Sequence, residues 1–174
     1  MKLIIRIYLL LFLVVVVMPI TSALAGVDER FRKIDAQGNE VAGDAAAWAM
    51  VLDTKTGFYW EVKTVDESIH SNSARYSYTA ADKEFLGELN KSSFGGFSDW
   101  RIPTEDEIYE LKKKKKGDEA AINLYYFPNT TPSKYMAHGW CGSKSEYQES
   151  SVKFGKQRIK GAKYVRAVHG KSLD

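Results

Sequence analysis

Three histidines, His70, His138 and His169, and one cysteine, Cys141, have the widest chemical repertoire in the chain. The three histidines are scattered, and none stands at metal-ligating spacing from another. Each therefore reads as a surface or packing residue. Gly96-Phe97-Ser98-Asp99-Trp100 falls one residue short of a nucleophile elbow, which needs a glycine where Trp100 stands. There is no phosphate-cradling Gly-x-x-x-x-Gly-Lys-Ser/Thr, no dinucleotide Gly-x-Gly-x-x-Gly and no His-Glu-x-x-His. Carboxylates are plentiful, but only geometry picks out a working acid–base pair. The sequence thus assigns no catalytic residue, no metal ligand and no cofactor.

Charge is the more informative chemistry. Residues 26–70 carry 5 basic and 9 acidic side chains, whereas residues 131–174 carry 9 basic and 3 acidic. Lys153, Lys156, Arg158, Lys160 and Lys163 crowd one short segment of the basic end. Such a segment suits an acidic ligand, since lysines act as point charges and an arginine can bind bidentately. A solvated strand-and-loop region has the same composition. Five consecutive lysines, Lys112 to Lys116, read as a solvated helix end stopped by Gly117.

The densest stretch is Gly95-Gly96-Phe97-Ser98-Asp99-Trp100-Arg101-Ile102-Pro103-Thr104. Each residue in it has a structural reading. Gly95 and Gly96 permit a tight turn. Trp100 is large enough to anchor a small core. Asp99 and Arg101 share one side of an extended segment, so they should pair with each other or brace neighbouring loops. Pro103 holds Ile102 extended. Thr104 and Glu107 have the spacing of a capping box. Asp99, Trp100, Arg101, Pro103 and Thr104 are therefore a structural signature.

The elements that position these residues follow from pattern. Lys2 and Arg6 precede the apolar run Ile7 to Met18, and Ala23-Leu24-Ala25 offers a small-x-small cleavage site. Residues 1–25 read as a secretory signal peptide, and the run is shorter than the roughly 20 residues a spanning helix needs. Removing those 25 from 174 leaves 149 residues, enough for one domain with a real core. Residues 26–46 form a polar N-terminal lead-in, residues 47–170 the domain, and residues 171–174 a tail. Trp48, Met50 and Leu52, then Phe58, Trp60 and Val62, alternate around Asp53-Thr54-Lys55-Thr56-Gly57, which predicts a β-hairpin. Thr79 and Asp82 predict the start of a helix whose core stripe is Phe85, Leu86 and Leu89. Thr104 predicts a second, with Ile108 and Leu111 inward. Val152 to Phe154 and Lys163 to Val168 read as a closing hairpin. Strands, two helices and further strands give an α+β single domain. With Cys141 alone, no intramolecular disulfide forms; a buried, inert thiol is the default expectation, with a free thiol or a bridge between chains as the alternatives.

These motifs resemble the Lcl C-terminal domain family, the bacterial domain typified by the C-terminal domain of the Legionella collagen-like adhesin. Asp53-Thr54-Lys55-Thr56-Gly57-Phe58-Tyr59-Trp60-Glu61 matches its early segment, and Gly95 to Thr104 with Glu107 its central signature. Phe127-Pro128-Asn129-Thr130, Val152-Lys153-Phe154-Gly155 and Val165-Arg166-Ala167-Val168-His169-Gly170 follow in the family's order. Two departures stand out. Tyr135 to Cys141 replaces a Tyr-Trp-Ser-Ser-Thr stretch, and His169 replaces an arginine. The resemblance implies a variant of the C-type-lectin-like fold, built of short antiparallel strands with two helices. It also implies kinship in shape to the formylglycine-generating enzymes, whose paired cysteines this chain lacks.

The expectation is an exported, non-catalytic binding or adhesion module of the bacterial envelope, in the periplasm or outside the cell. Its ligand would be a sulfated or acidic glycan or an envelope protein, with Lys153, Lys156, Arg158, Lys160 and Lys163 as contacts. No nucleic-acid partner, cofactor or lasting membrane anchor is expected. An enzyme on a lectin-like scaffold and a structural partner-binding domain are the alternatives.

Overall fold

A computed structural model describes residues 28–112, 122–140, 147–153 and 161–171. Its centre is a four-stranded antiparallel sheet in the order β1-β2-β3-β6. The strands are β1 (Phe31–Ile34), β2 (Met50–Asp53), β3 (Phe58–Glu61) and β6 (Val168–His169). A second, two-stranded sheet pairs β4 (Lys134–Trp140) with β5 (Tyr147–Lys153). Strands and helices without alternating βαβ units make this the expected α+β domain.

The β2–β3 hairpin forms where alternation placed it. Asp53 Oδ1 accepts the Lys55 amide at 3.0 Å, and the Gly57 amide donates to the Asp53 carbonyl at 2.8 Å. Gly57 closes the turn at φ 78°, which a side chain would resist. Cross-strand partners share a face. Val51 opposite Trp60 therefore points one way, and Met50 opposite Glu61 the other. Both faces are buried, so Val51 is as enclosed as Met50. The polar lead-in contributes β1, whose Ile34 pairs with Met50 and whose Phe31 pairs with Asp53.

Each face has its own cover. On one, Phe31, Val51, Phe58, Trp60 and Val168 pack with Ile108 and Leu111 of helix α3 (Glu105–Glu110 and its cap) and with Tyr126 and Phe127. On the other, Ile34 and Met50 meet Phe85, Leu86, Leu89, Trp100 and Ile102. Full burial of a side chain of this size contributes about 1.5–3 kcal/mol.

The second face is covered by a continuous helical rod. It runs through α1 (Tyr78–Ala80), a π-helical stretch Ala81–Leu86 and α2 (Gly87–Lys91), with right-handed backbone at each junction. Its cap is Ser77, not the expected Thr79: Ser77 Oγ accepts the Ala80 amide at 3.2 Å. The reason is tertiary. Tyr76 exchanges two backbone hydrogen bonds with Lys163, both 2.9 Å, so the chain is held extended up to Ser77 and turns helical at once.

Among the described residues the expected closing hairpin between Val152–Phe154 and Lys163–Val168 does not form. Val152 pairs with Tyr135 of β4 instead, and Phe154 lies outside the described residues. The chain from Lys163 onward stitches three elements together. Lys163 bridges Tyr76, Tyr164 bridges Tyr135, and Val168 pairs with Trp60. Tyr135, Met136 and Ala137 are all buried. An apolar run enclosed on both sides carries no alternation from which its partner could be read.

Candidate functional site

The Gly95–Thr104 signature is built into the framework. Gly95 and Gly96 take φ of 65° and 85°, and a methyl on Gly95 would overlap the Met50 side chain. Trp100 is 2% exposed. Asn90, near the end of α2, holds it on both sides: its Oδ1 accepts the Trp100 amide at 2.6 Å and its Nδ2 donates to the Trp100 carbonyl at 3.0 Å. The indole N–H reaches the Phe94 carbonyl at 2.9 Å. Arg101 exchanges backbone hydrogen bonds with Val168 at 2.9 and 3.0 Å, so the signature lies against β6 on the side away from β3.

Asp99 and Arg101 do not pair with each other. Arg101 forks onto Glu107, both N–O distances 2.7 Å, and also reaches the Gly170 carbonyl. Glu107 completes the capping box, its Oε2 accepting the Thr104 amide at 2.9 Å while Thr104 Oγ1 accepts the Glu107 amide. A fixed, buried carboxylate outcompetes the exposed Asp99 for the guanidinium. Asp99 turns to His169 at 2.6 Å, and the His169 ring stacks on Phe97 with centroids 3.7 Å apart. Bracing of neighbouring segments, the other half of the expectation, is what both residues do.

A buried charge network was missed by the sequence reading. Glu61 is fully enclosed at the end of β3. Its Oε1 accepts from Lys63 Nζ at 2.8 Å and from His70 Nδ1 at 2.9 Å, and its Oε2 from the Ala167 amide at 3.1 Å. Arg166 donates to the Glu61 carbonyl and, at 2.8 Å, to Thr130 Oγ1. Burial pushes the Glu61 carboxyl up, but Lys63 and His70 together outweigh it and hold it below the ordinary carboxylate value. Burial pulls Lys63 down, with Glu61 opposing. The Lys63 ammonium also lies 4.7 Å from the Phe85 ring centroid. Two signals were present in the sequence. Glu61 and Lys63 are two apart in a strand and so share a face, and His70 lies a short loop away.

The basic segment is anchored at both ends. Lys153 is the last residue of β5, opposite Lys134. Lys163 is half-buried at the Tyr76 bridge. Lys156, Arg158 and Lys160 lie outside the described residues, as do Cys141 and residues 113–121.

A pocket of about 400 Å³ opens beside the sheet. Its apolar lining comes from Ala46, Ala47, Trp48, Val62, Val65 and Pro128. Thr64, Asp66 and Asn129 add polar groups, and Lys63 contributes as well. Asn129 Nδ2 is tied to the Lys63 carbonyl at 3.0 Å. The Trp48 N–H is tied to the Tyr126 carbonyl at 2.9 Å. Asp66 accepts from Thr64 Oγ1 at 2.6 Å and from the Ser68 amide at 3.0 Å. Hydrogen bonding from the Ser68 hydroxyl, then from Thr64 and the Ser68 amide, with a smaller pull from His70, holds its carboxyl down to about 2. Among the described residues no group of three or more His, Cys, Asp or Glu could hold a metal ion, and no helix is long and apolar enough to cross a membrane.

A family model described as Lcl C-terminal domain matches residues 49–170, well over half of the chain. The match runs from the β2–β3 hairpin, through the signature, to β6. No curated protein and no solved structure matches.

Proposed function

We propose that this chain, which belongs to the Lcl C-terminal domain family, is an exported, non-catalytic binding module of the bacterial envelope that recognises polyanionic glycans. The observation that carries the reading is the crowding of Lys153, Lys156, Arg158, Lys160 and Lys163 on one connection whose two ends the fold secures. A sulfated or carboxylated glycan offers the repeated anions such a segment would neutralise. Export is supported by the apolar run Ile7 to Met18 and the Ala23-Leu24-Ala25 site. A variant of the C-type-lectin-like fold is part of the same reading, supported by the short antiparallel strands flanked by two helical elements.

Binding without catalysis is favoured by how the shifted ionisable groups are spent. The Lys63 ammonium is locked on Glu61, and Asp66 is held ionised by its own turn, so it is a poor base at neutral pH. The purified chain should be retained on immobilised heparin at low salt and elute as ionic strength shortens the screening length. Replacing Lys153, Lys156, Arg158, Lys160 and Lys163 by glutamine should move elution to markedly lower salt. Unchanged elution of a folded variant would remove these residues from the reading, and no retention of the parent chain would remove the polyanion.

A further inference from the structure

The pocket beside Trp48 belongs to the opposite end of the charge distribution from the basic segment. Eight of its ten lining residues fall within Ala46 to Asp66, inside the stretch where acidic residues outnumber basic ones by 9 to 5. Two nearby cations are already engaged. The Lys63 side chain is 3% exposed and its Nζ is bonded to Glu61. Lys33 Nζ donates to the Ala45 carbonyl at 3.1 Å and lies 3.7 Å from the Trp48 ring centroid, within the field of Asp44. Asp66 is different. It is exposed, ionised far below neutral pH, and all its hydrogen bonds come from neutral groups of its own turn. Beside it Val65 is 77% exposed, an apolar side chain left at the rim.

An apolar basin with a standing carboxylate at its rim is complementary to a group with an alkyl stem and a cationic head. A lysine side chain has that form, burying its methylenes along apolar surface while the ammonium stays at the edge. The same carboxylate opposes an anion, so this is no second site for the glycan. We propose that the pocket is a docking site for an exposed lysine side chain of a partner protein, its stem over Val65, Val62 and Pro128 and its ammonium on Asp66. This assignment is independent of the polyanion reading, since it uses none of the residues from Lys153 to Lys163.

The test follows the backbone amides of Val65 and Asp66 and the Trp48 indole N–H by NMR, in the purified chain. The probes are N-acetyl-lysine methylamide, its uncharged counterpart N-acetyl-norleucine methylamide, and N-acetyl-glutamate methylamide. Saturable shifts are expected with the lysine probe, at an affinity about threefold above norleucine, the scale of one exposed ion pair. That preference should vanish in Asp66→Asn, which keeps an acceptor for Thr64 and Ser68, and at high salt in the parent chain. Equal binding of lysine and norleucine probes would overturn the proposal, as would preference for glutamate or the absence of saturable shifts. The salt arm decides the matter if Asp66→Asn fails to fold.

Discussion

Glu61 is the residue on which most of the interior electrostatics turns. Its two carboxylate oxygens serve Lys63, His70 and the Ala167 amide, and its own amide donates to the Ala167 carbonyl at 3.1 Å. It therefore neutralises a buried lysine and helps dock the chain entering β6 onto β3. Removing one partner of such a pair leaves the other charge buried and uncompensated. Glu61→Gln should cost about 3–5 kcal/mol in urea unfolding. Glu110 pairs with Lys55 at 2.5 Å at the surface, where both side chains are well exposed. Glu110→Gln should cost far less. Similar losses for the two variants would show that burial of the Glu61 pair is not what matters. Of these residues the sequence marked Glu61 only as part of a family segment, because nothing in a one-dimensional pattern brings Arg166 beside it.

At the scale of elements, the short helix α3 owes its start to a local device used twice. Thr104 and Glu107 cap each other, and the same Glu107 carboxylate receives the Arg101 fork. The cap was legible because its spacing is fixed within four residues. The fork was not, because Asp99 stands nearer in sequence and only the fold decides which carboxylate faces the guanidinium. Thr104→Ala removes the side-chain acceptor for the Glu107 amide and should destabilise by about 1 kcal/mol, with Thr104→Ser restoring most of it. Equal losses for alanine and serine would mean that the threonine methyl, not the hydroxyl, supports the helix. The helical rod makes the complementary point. Its stripe of Phe85, Leu86 and Leu89 was legible, while its start at Ser77 was set by the distant strand contact of Tyr76 with Lys163.

For the whole molecule, pH reports how many carboxylates the folded state holds ionised. Glu61 lies below its ordinary value of 4.5 and Asp66 falls from 3.8 to about 2. Asp35 and Glu110 are lowered as well, the first chiefly by the Asn39 amide and the second by Lys55. Groups with depressed folded values bind fewer protons than the unfolded chain in the acid range. Their stabilisation is complete above the unfolded values and is lost as pH falls toward the folded ones. The urea midpoint should therefore decline from about pH 5 downward. A midpoint constant between pH 5 and pH 3 would contradict the assignment. The molecule also keeps its basic segment and its acid-rimmed pocket on separate stretches of chain, which allows the two proposed contacts to be tested one at a time.

The sequence by itself determined the family, the α+β class, the β2–β3 hairpin, the capping box of α3 and the burial of Trp100. The hairpin, the cap and the tryptophan rest on patterns within about ten residues, where periodicity, turn chemistry and capping act without help from the rest of the chain, and the family and class on the order of such patterns along it. Only the tertiary structure decided the partners of β5 and of residues 163–168, the split between Asp99–His169 and Arg101–Glu107, and the enclosure of Glu61 with Lys63, His70 and Arg166. Some of those pairings join residues far apart in sequence, as Glu61 with Arg166 and Asp99 with His169, and others choose among near neighbours, as Arg101 does in taking Glu107 over Asp99. Those around Glu61 and Glu107 are chosen by which groups share a buried environment, because an unpaired charge there costs more than any local preference returns.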